Sequence, residues 1–238
     1  MREPPALPEA RLRACLRDAW AIDATVEFLP LGLDTRAGVY RATASDGGQW
    51  LVKVKSSPLY APGCRVPAYL SAQGVGEVVA PLATTGGALW ASLAEWTVIV
   101  YPFIEGDTGW RSITDAHWET TGRIFRRIHQ VSPPSRGFDS LRSEKFDPAV
   151  YAGPIRAYEE RVSVTSPHAA HPAERALRAI WLERQPAIHA ILARMERLAP
   201  VLLRRELPPV ICHADLHPGN LLRDPLGGVH VIDWDDVM

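Results

Sequence analysis

Two aspartates and an asparagine near the end of the chain stand where short apolar runs give way to turns. The stretch reads Val210-Ile-Cys-His-Ala-Asp-Leu-His-Pro-Gly-Asn-Leu-Leu, followed by Val229-His-Val-Ile-Asp-Trp-Asp. Asp215 and Asn220 share one loop, bent by Pro218 and Gly219 after a strand-like Val210-Ile-Cys. Gly227-Gly228 then turns the chain, and the run from Val229 to Ile232 returns to deliver Asp233 at the same end. Phosphoryl transfer needs such parts: a carboxylate to accept or orient the proton of an attacking hydroxyl, with an amide and a second carboxylate to hold magnesium. The hard oxygens of Asn220 and Asp233 are of the type magnesium prefers. Turns favour Asp and Asn on their own account, but the full combination in this order points to an ATP- or GTP-dependent kinase of small molecules.

A rival reading of the same residues takes His213-Ala-Asp-Leu-His as a transition-metal cluster. No other His, Cys or Asp grouping completes a tetrahedral site, and Asn220 would then have no task. The expected role of His213 is to brace the loop by hydrogen bonds. Arg123, Arg126 and Arg127 make a basic helical face, yet a net charge of −1 over 238 residues provides no platform for nucleic acid or an anionic membrane. Cys15, Cys64 and Cys212 are odd in number and scattered, which suits reduced thiols. The opening Met1-Arg-Glu-Pro-Pro lacks the apolar core of a signal peptide, and no run approaches the length of a membrane span. The expectation is a cytoplasmic protein with no nucleic-acid or membrane partner, its oligomeric state left open by the sequence.

Those side chains need a scaffold. Residues 8–21 predict a helix with Leu12, Leu16 and Ala19 or Trp20 on one face. Strands are expected at 25–31, 39–44 and 49–55, the last two joined by a Ser45-Asp-Gly-Gly hairpin turn. Trp50, Val52 and Val54 fall on one face of the third. A helix at 65–73, ended by Gly74, and strands at 78–82, 88–93 and 97–103 complete the first part. Helices follow at 114–131, 151–162 and 172–203. Leu177, Ile180, Trp181, Ile188, Ile191 and Leu192 supply the apolar face of the last. Loops cover 132–137 and 164–171. Sheet first and helices second is an α+β layout with two lobes and a ligand cleft between them.

His213-Ala-Asp-Leu-His-Pro-Gly-Asn-Leu and Val231-Ile-Asp-Trp-Asp closely resemble the catalytic and metal-binding motifs of aminoglycoside phosphotransferases and their small-molecule kinase relatives. Further matches lie upstream. Gly32-Leu-Asp-Thr-Arg-Ala-Gly-Val-Tyr-Arg-Ala resembles the nucleotide-covering loop and Trp50-Leu-Val-Lys-Val the lysine strand. Val100-Tyr-Pro-Phe-Ile-Glu-Gly is similar to the hinge, and the stretch from Gly122 to His129 to a helix with a closing Ile-His. The Gly-x-Asp-Thr loop leans toward the spectinomycin branch.

The resemblance implies a two-lobed, protein-kinase-like fold. A nucleotide-binding lobe would span 1–103, with the hinge at its end. A helical lobe over 104–238 would carry the catalytic loop and metal strand but lack its last helices. It also implies roles: Asp215 as catalytic base, Asn220 and Asp233 on magnesium, Lys53 on the α- and β-phosphates. Asp34 and Thr35 would cover the nucleotide, and backbone groups of Tyr101 and Phe103 would meet the purine. Lys55 shares the parity of Lys53 and is its rival, though an exposed strand position is the plainer expectation for it.

Two departures stand out. Such kinases hold their lysine with a glutamate from the first-lobe helix, and residues 65–73 contain none. Glu77, just beyond, is the nearest substitute. The chain also stops at Met238, soon after Asp233, so fraying of that strand is expected beside a free end. The implied reaction moves a γ-phosphate to a hydroxyl of an aminoglycoside or aminocyclitol. Asp235, Asp236, Glu105 and Asp107 are available to a cationic acceptor, or Asp235 and Asp236 are solvated ends. Alternatives are a metabolic kinase of the choline, homoserine or sugar type, and a nucleotide-binding pseudoenzyme.

Overall fold

Alternation along residues 49–55 decides how the N-terminal part is layered. Strand β3 (Gln49–Lys55) buries Val52 and Val54 completely on one face and turns Lys53 and Lys55 to the other. A computed structural model describes residues 3–31, 36–56, 58–134, 136–164 and 171–238. Around β3 a five-stranded antiparallel sheet forms from β1 (Ala24–Leu29), β2 (Ala37–Ala44), β4 (Ala91–Leu93) and β5 (Trp96–Pro102), in the order β1-β2-β3-β5-β4. Helix α1 (Glu9–Trp20) lays Leu12, Cys15, Leu16 and Trp20 on the valine face, which makes the first core. Each such aliphatic side chain contributes about 1.5–3 kcal/mol on leaving water. The Trp20 indole donates to the Leu82 carbonyl at 3.0 Å, so its polar edge is satisfied inside.

A second core lies around α2 (Pro62–Ala72), α4 (Asp115–Gln130) and a small sheet of β6 (Asp107–Thr108), β7 (Leu221–Arg223) and β8 (Val229–Val231). The short helix α3 (Gly109–Ser112) joins β6 to α4. Val66 and Leu70 of α2 meet Ile124 and Ile128 of α4, with Ile211, Leu221, Val231, Trp234 and Val237 between them. The chain around Glu77 docks along β8: Val231 N–H donates to the Glu77 carbonyl at 2.8 Å, and Val79 N–H to the Val231 carbonyl at 3.0 Å. Residues 78–82 therefore do not form the expected strand. Val78 makes one parallel bridge to Val231, after which Pro81, lacking an amide hydrogen, ends any ladder.

Two compact units result, residues 1–142 with 210–238, and residues 143–209. The second consists of α5 (Ala149–Val164) and α6 (Pro172–Leu203). Within it, Tyr158 meets Trp181 edge-on at 4.5 Å, and Arg156 pairs with Glu196 at 2.5 Å. The buried or half-buried line on α6 runs through Trp181, Gln185, Ile188 and Leu192. Leu177, Ile180 and Ile191, expected on that face, are exposed instead, because one facing helix covers only a narrow stripe. Among the described residues no helix is long and apolar enough to cross a membrane.

The expected fraying at the end of the chain is also overturned. Cys212 and Met238 exchange backbone hydrogen bonds at 2.8 and 2.9 Å, the Tyr60 hydroxyl donates to the Val237 carbonyl at 2.9 Å, and Val237 is fully buried. Packing, not chain position, sets order here.

Burial separates aliphatic helix positions sharply. Leu16→Ala is expected to cost roughly 2–5 kcal/mol in urea unfolding. Ile191→Ala, at a position 68% exposed, is expected to stay within about 0.5 kcal/mol of the parent.

Candidate active site

Strand β7 begins where a single 3-10 turn, Pro218–Asn220, ends, and that turn places Asn220 under the loop. Asn220 is buried. Its side-chain amide donates to the Asp215 carbonyl at 2.9 Å and to Asp215 Oδ2 at 3.2 Å. Its backbone carbonyl accepts from Ile232 N–H at 3.0 Å, which ties the loop to the end of β8. The Asp215 carboxylate is exposed.

His213 is the brace beneath. Its Nε2 lies 2.9 Å from the Ile232 carbonyl and Nδ1 accepts from Asp215 N–H at 3.3 Å, which requires the neutral Nε2–H tautomer. The ring packs between Trp234, at 4.7 Å, and Phe125 of α4, at 6.3 Å. Burial depresses its pKa, outweighing the opposite pull of the Ile232 carbonyl and the Asp233 and Asp215 carboxylates. Both ring nitrogens are thus occupied, and among the described residues no group of three His, Cys, Asp or Glu side chains could hold a metal ion. The transition-metal reading has no site. The donor chemistry suits magnesium: Asn220 bonds through its nitrogen and leaves its amide oxygen outside those bonds, and Asp233 is a carboxylate with one oxygen on Lys53.

Asp233 adopts φ +60° and Ala214, immediately before Asp215, φ +65°. Left-handed backbone at non-glycine positions costs on the order of 1–3 kcal/mol each and concentrates at functional sites. The bend at Asp233 is followed by Trp234, buried, and Asp235, so the acids and the indole part to opposite sides.

Lys53 Nζ lies 2.9 Å from Asp233 Oδ1 and 2.7 Å from Asp235 Oδ2, and Lys55 Nζ lies 2.7 Å from the same Asp235 oxygen. The lysine side chains are only 13% and 9% exposed. Lys55 is therefore no exposed strand residue, and Asp235 no solvated end. Burial works against the Lys53 ammonium, but Asp233 and Asp235 outweigh it and hold its pKa above the usual lysine value. Burial likewise works against the Asp235 carboxylate, and Lys53 and Lys55 reverse it, bringing the group down to about 2. Glu77 is not the partner of Lys53; it pairs with Arg127 on α4. Asp236 pairs with Arg142 at 3.2 Å and Asp107 approaches Arg223 at 3.7 Å, while Glu105 is exposed.

Tyr101 stands opposite Leu51 across the β3–β5 ladder, two pairs along from Lys53 opposite Ile99. Its phenol hydrogen-bonds with Cys64 of α2, and burial raises both groups, the Cys64 thiol to about 12, so neither ionises. Phe103 lies just past β5 with Arg41 over its ring at 5.8 Å. Asp34 and Thr35 lie outside the described residues. The structure thus joins Asp215 to Asn220, and Lys53 to Asp233, with Ile232 linking the two pairs. Phe103 adjoins them through the sheet, and the Tyr101 phenol also feels the Asp233 and Asp235 carboxylates. Sequence reasoning passed over Trp110, exposed and stacked on His217 at 5.4 Å, whose signal is only an aromatic in a polar segment. It also missed the pairing of Asp235 with both lysines, legible in matched alternation: Asp233-Trp-Asp235 against Lys53-Val-Lys55.

The model of the phosphotransferase enzyme family (APH) matches residues 25–238, and the chain belongs to that family. It is a phosphotransferase with an alcohol group as acceptor and a nucleotide as co-substrate. Its fold is the kinase-like one. The crystal structure of spectinomycin phosphotransferase APH(9)-Ia with ADP and spectinomycin is similar at TM-score 0.84 and 24% identity, over 98% of this chain and 70% of that one. An aminoglycoside phosphotransferase from Alicyclobacillus acidocaldarius gives TM-score 0.66 at 17% identity over 99% and 68%. Choline kinase LicA from Streptococcus pneumoniae gives 0.53 at 19% over 96% and 69%. At these identities the likeness is one of fold. No curated protein matches the chain.

The neutral His213 makes a pH signature. Below the ordinary imidazole value of about 6.5 the unfolded chain binds a proton that the folded site resists, so stability falls with falling pH. His213→Asn removes that group: its melting temperature is expected to lie below the parent's at about pH 8 and to close on it toward about pH 5. A gap by scanning calorimetry that does not change with pH would assign the acid sensitivity elsewhere.

Proposed function

We propose that this protein transfers the γ-phosphoryl group of ATP or GTP to a hydroxyl of a small cationic aminocyclitol or aminoglycoside, working in the cytoplasm with magnesium. The observation that carries the reading is the convergence of Lys53, Asp233, Asn220 and Asp215, brought from opposite ends of the chain onto one unit. Asp215 would take the proton of the acceptor hydroxyl, with Asn220 and the His213 brace fixing its orientation. Lys53 would meet the α- and β-phosphates, and Asn220 and Asp233 would hold the magnesium, which supplies charge neutralisation at the transferring phosphate. Tyr101 and Phe103 would present backbone groups to the purine, at a hinge ending the first lobe near residue 103.

The acceptor class rests on the likeness to the spectinomycin enzyme, in which ADP and spectinomycin are bound together. The acids once open to a cationic acceptor are mostly engaged: Asp235 by two lysines, Asp236 by Arg142. Glu105 remains exposed, and the Trp110–His217 stack beside Asp215 offers an aromatic face.

A panel of spectinomycin, other aminoglycosides, choline and homoserine, read by mass spectrometry for an added phosphate, tests this directly. Phosphorylated spectinomycin or aminoglycoside is expected, dependent on magnesium. Phosphocholine or phosphohomoserine would shift the assignment to a metabolic kinase, and nucleotide binding without any product to a pseudoenzyme. Asp215→Asn is expected to lower kcat about 10²–10⁴-fold with nucleotide affinity retained. Full turnover in that variant would remove Asp215 as the base.

A further inference from the structure

Helix α2 reads PGCRVPAYLSA from Pro62 to Ala72 and carries no acid, so it can offer Lys53 no carboxylate. The next acid along, Glu77, faces Arg127. What α2 brings to the lysines is its first turn. A Cβ at Gly63 would lie 3.1 Å from the Trp234 carbonyl and 3.4 Å from Asp235 Oδ1, so a glycine there lets the helix N-terminus close on the segment after β8. That end of a helix favours a negative charge. Asp235 supplies it and accepts from Lys53 and Lys55 through one oxygen, at 2.7 Å each.

We propose that Asp235 is the positioning residue for Lys53 in nucleotide binding, doing from the C-terminal segment, with Lys55 as its second anchor, what a helix-borne acid would otherwise do. Lys53 has two carboxylate partners, and one of them, Asp233, is also a candidate cation ligand. Asp235 alone is free to stay on Lys53 when Asp233 serves a cation. Lys55 donates to the same Asp235 oxygen as Lys53, which anchors that carboxylate to β3 by a second bond. The pair of lysines two residues apart on β3 and the pair of aspartates two residues apart after β8 are thus one device. Asp233 is shared with the reaction, and Asp235 is reserved for geometry.

This inference rests on the phosphotransferase reading, and its test is chosen to fail separately from it. Calorimetry with ATP and magnesium, in the absence of any acceptor, reads the lysine's position whether or not a product is ever found. Asp235→Asn is expected to weaken ATP binding, and to raise the KM for ATP, by roughly ten- to a hundredfold, the range typical of groups that orient a ligating residue. The KM for the acceptor is expected to stay within about twofold, since Asp235 acts on the nucleotide side only. In a Lys53→Met background the same substitution is expected to add less than about twofold, because the group it acts through is gone. Should Asp235→Asn not fold, the charge-balanced Lys55→Met/Asp235→Asn pair carries the same expectation. A lower melting temperature with unchanged ATP affinity would make Asp235 merely structural. A full additive loss in the Lys53→Met background would place Asp235 on the nucleotide itself. Either result overturns the proposal. Absence of a phosphorylated product from the parent enzyme would instead overturn the function it rests on.

Discussion

Two ammonium groups that β3 turns away from its valine core have to be neutralised, and the segment after β8 brings the charge that does it. An unpaired buried ion is several kcal/mol uphill, whereas removing one partner from a formed pair costs about 3–5 kcal/mol. Lys53 and Lys55 are nearly enclosed, so the chain folds with Asp233 and Asp235 against them or leaves them stranded. This one constraint joins residues 180 positions apart in sequence. It fixes where the sheet of the first hundred residues stands relative to the hairpin that carries the loop chemistry. The net gain in stability from such a network is small by the same bookkeeping. What it delivers is a single arrangement of lysine and aspartate, which is what phosphate chemistry requires.

The second core makes that arrangement rigid enough to carry strain. Ala214 and Asp233 both hold left-handed backbone, at a cost that only well-determined surroundings sustain. Ile211, Leu221, Val231 and Trp234 are all buried around them, and α2 and α4 close the core from outside. His213 converts that packing into direction. Held between Trp234 and Phe125 and kept neutral by burial, it spans the loop before Asp215 and the carbonyl beside Asp233. An apolar environment that forbids its charge is the reason it can donate at one nitrogen and accept at the other. Loop and hairpin are therefore set by one imidazole rather than by the length of the connection between them.

Much of this was legible in residue order. Alternation in Trp50-Leu-Val-Lys-Val placed the valines inside, and periodicity at Leu12, Leu16 and Trp20 found α1 to within a residue at each end. The Asp215, Asn220 and Asp233 motif announced its chemistry, and the structure joins its two halves through Ile232. The misreadings share a physical cause. Lys55 and Asp235 look solvated one at a time, because a charge reads as exposed until its partner is known, and the partners here lie at opposite ends of the chain. Glu77 was the nearest acid in sequence but is claimed by Arg127, a long-range pairing no local pattern reveals. Leu177, Ile180 and Ile191 failed for the converse reason. Apolar character marks a face as able to be buried, while the neighbours present decide how wide a stripe is covered.

The balance of charge at the site has a consequence for how ligands enter it. Lys53, Lys55, Asp233 and Asp235 sum to zero, so the described cluster draws neither an anion nor a cation strongly by itself. Under the proposed function, an anionic phosphate reaching Lys53 would meet Asp233 on the same ammonium, and a divalent cation reaching Asp233 would meet Lys53 on the same carboxylate. Each ligand is opposed by the group that the other would occupy. Together they would relieve both conflicts, the phosphate taking the lysine and the cation the aspartate, while the Asp235–Lys55 contact stays in place. On that proposal, coupling of nucleotide to metal would follow from an ion pair that is satisfied before either arrives.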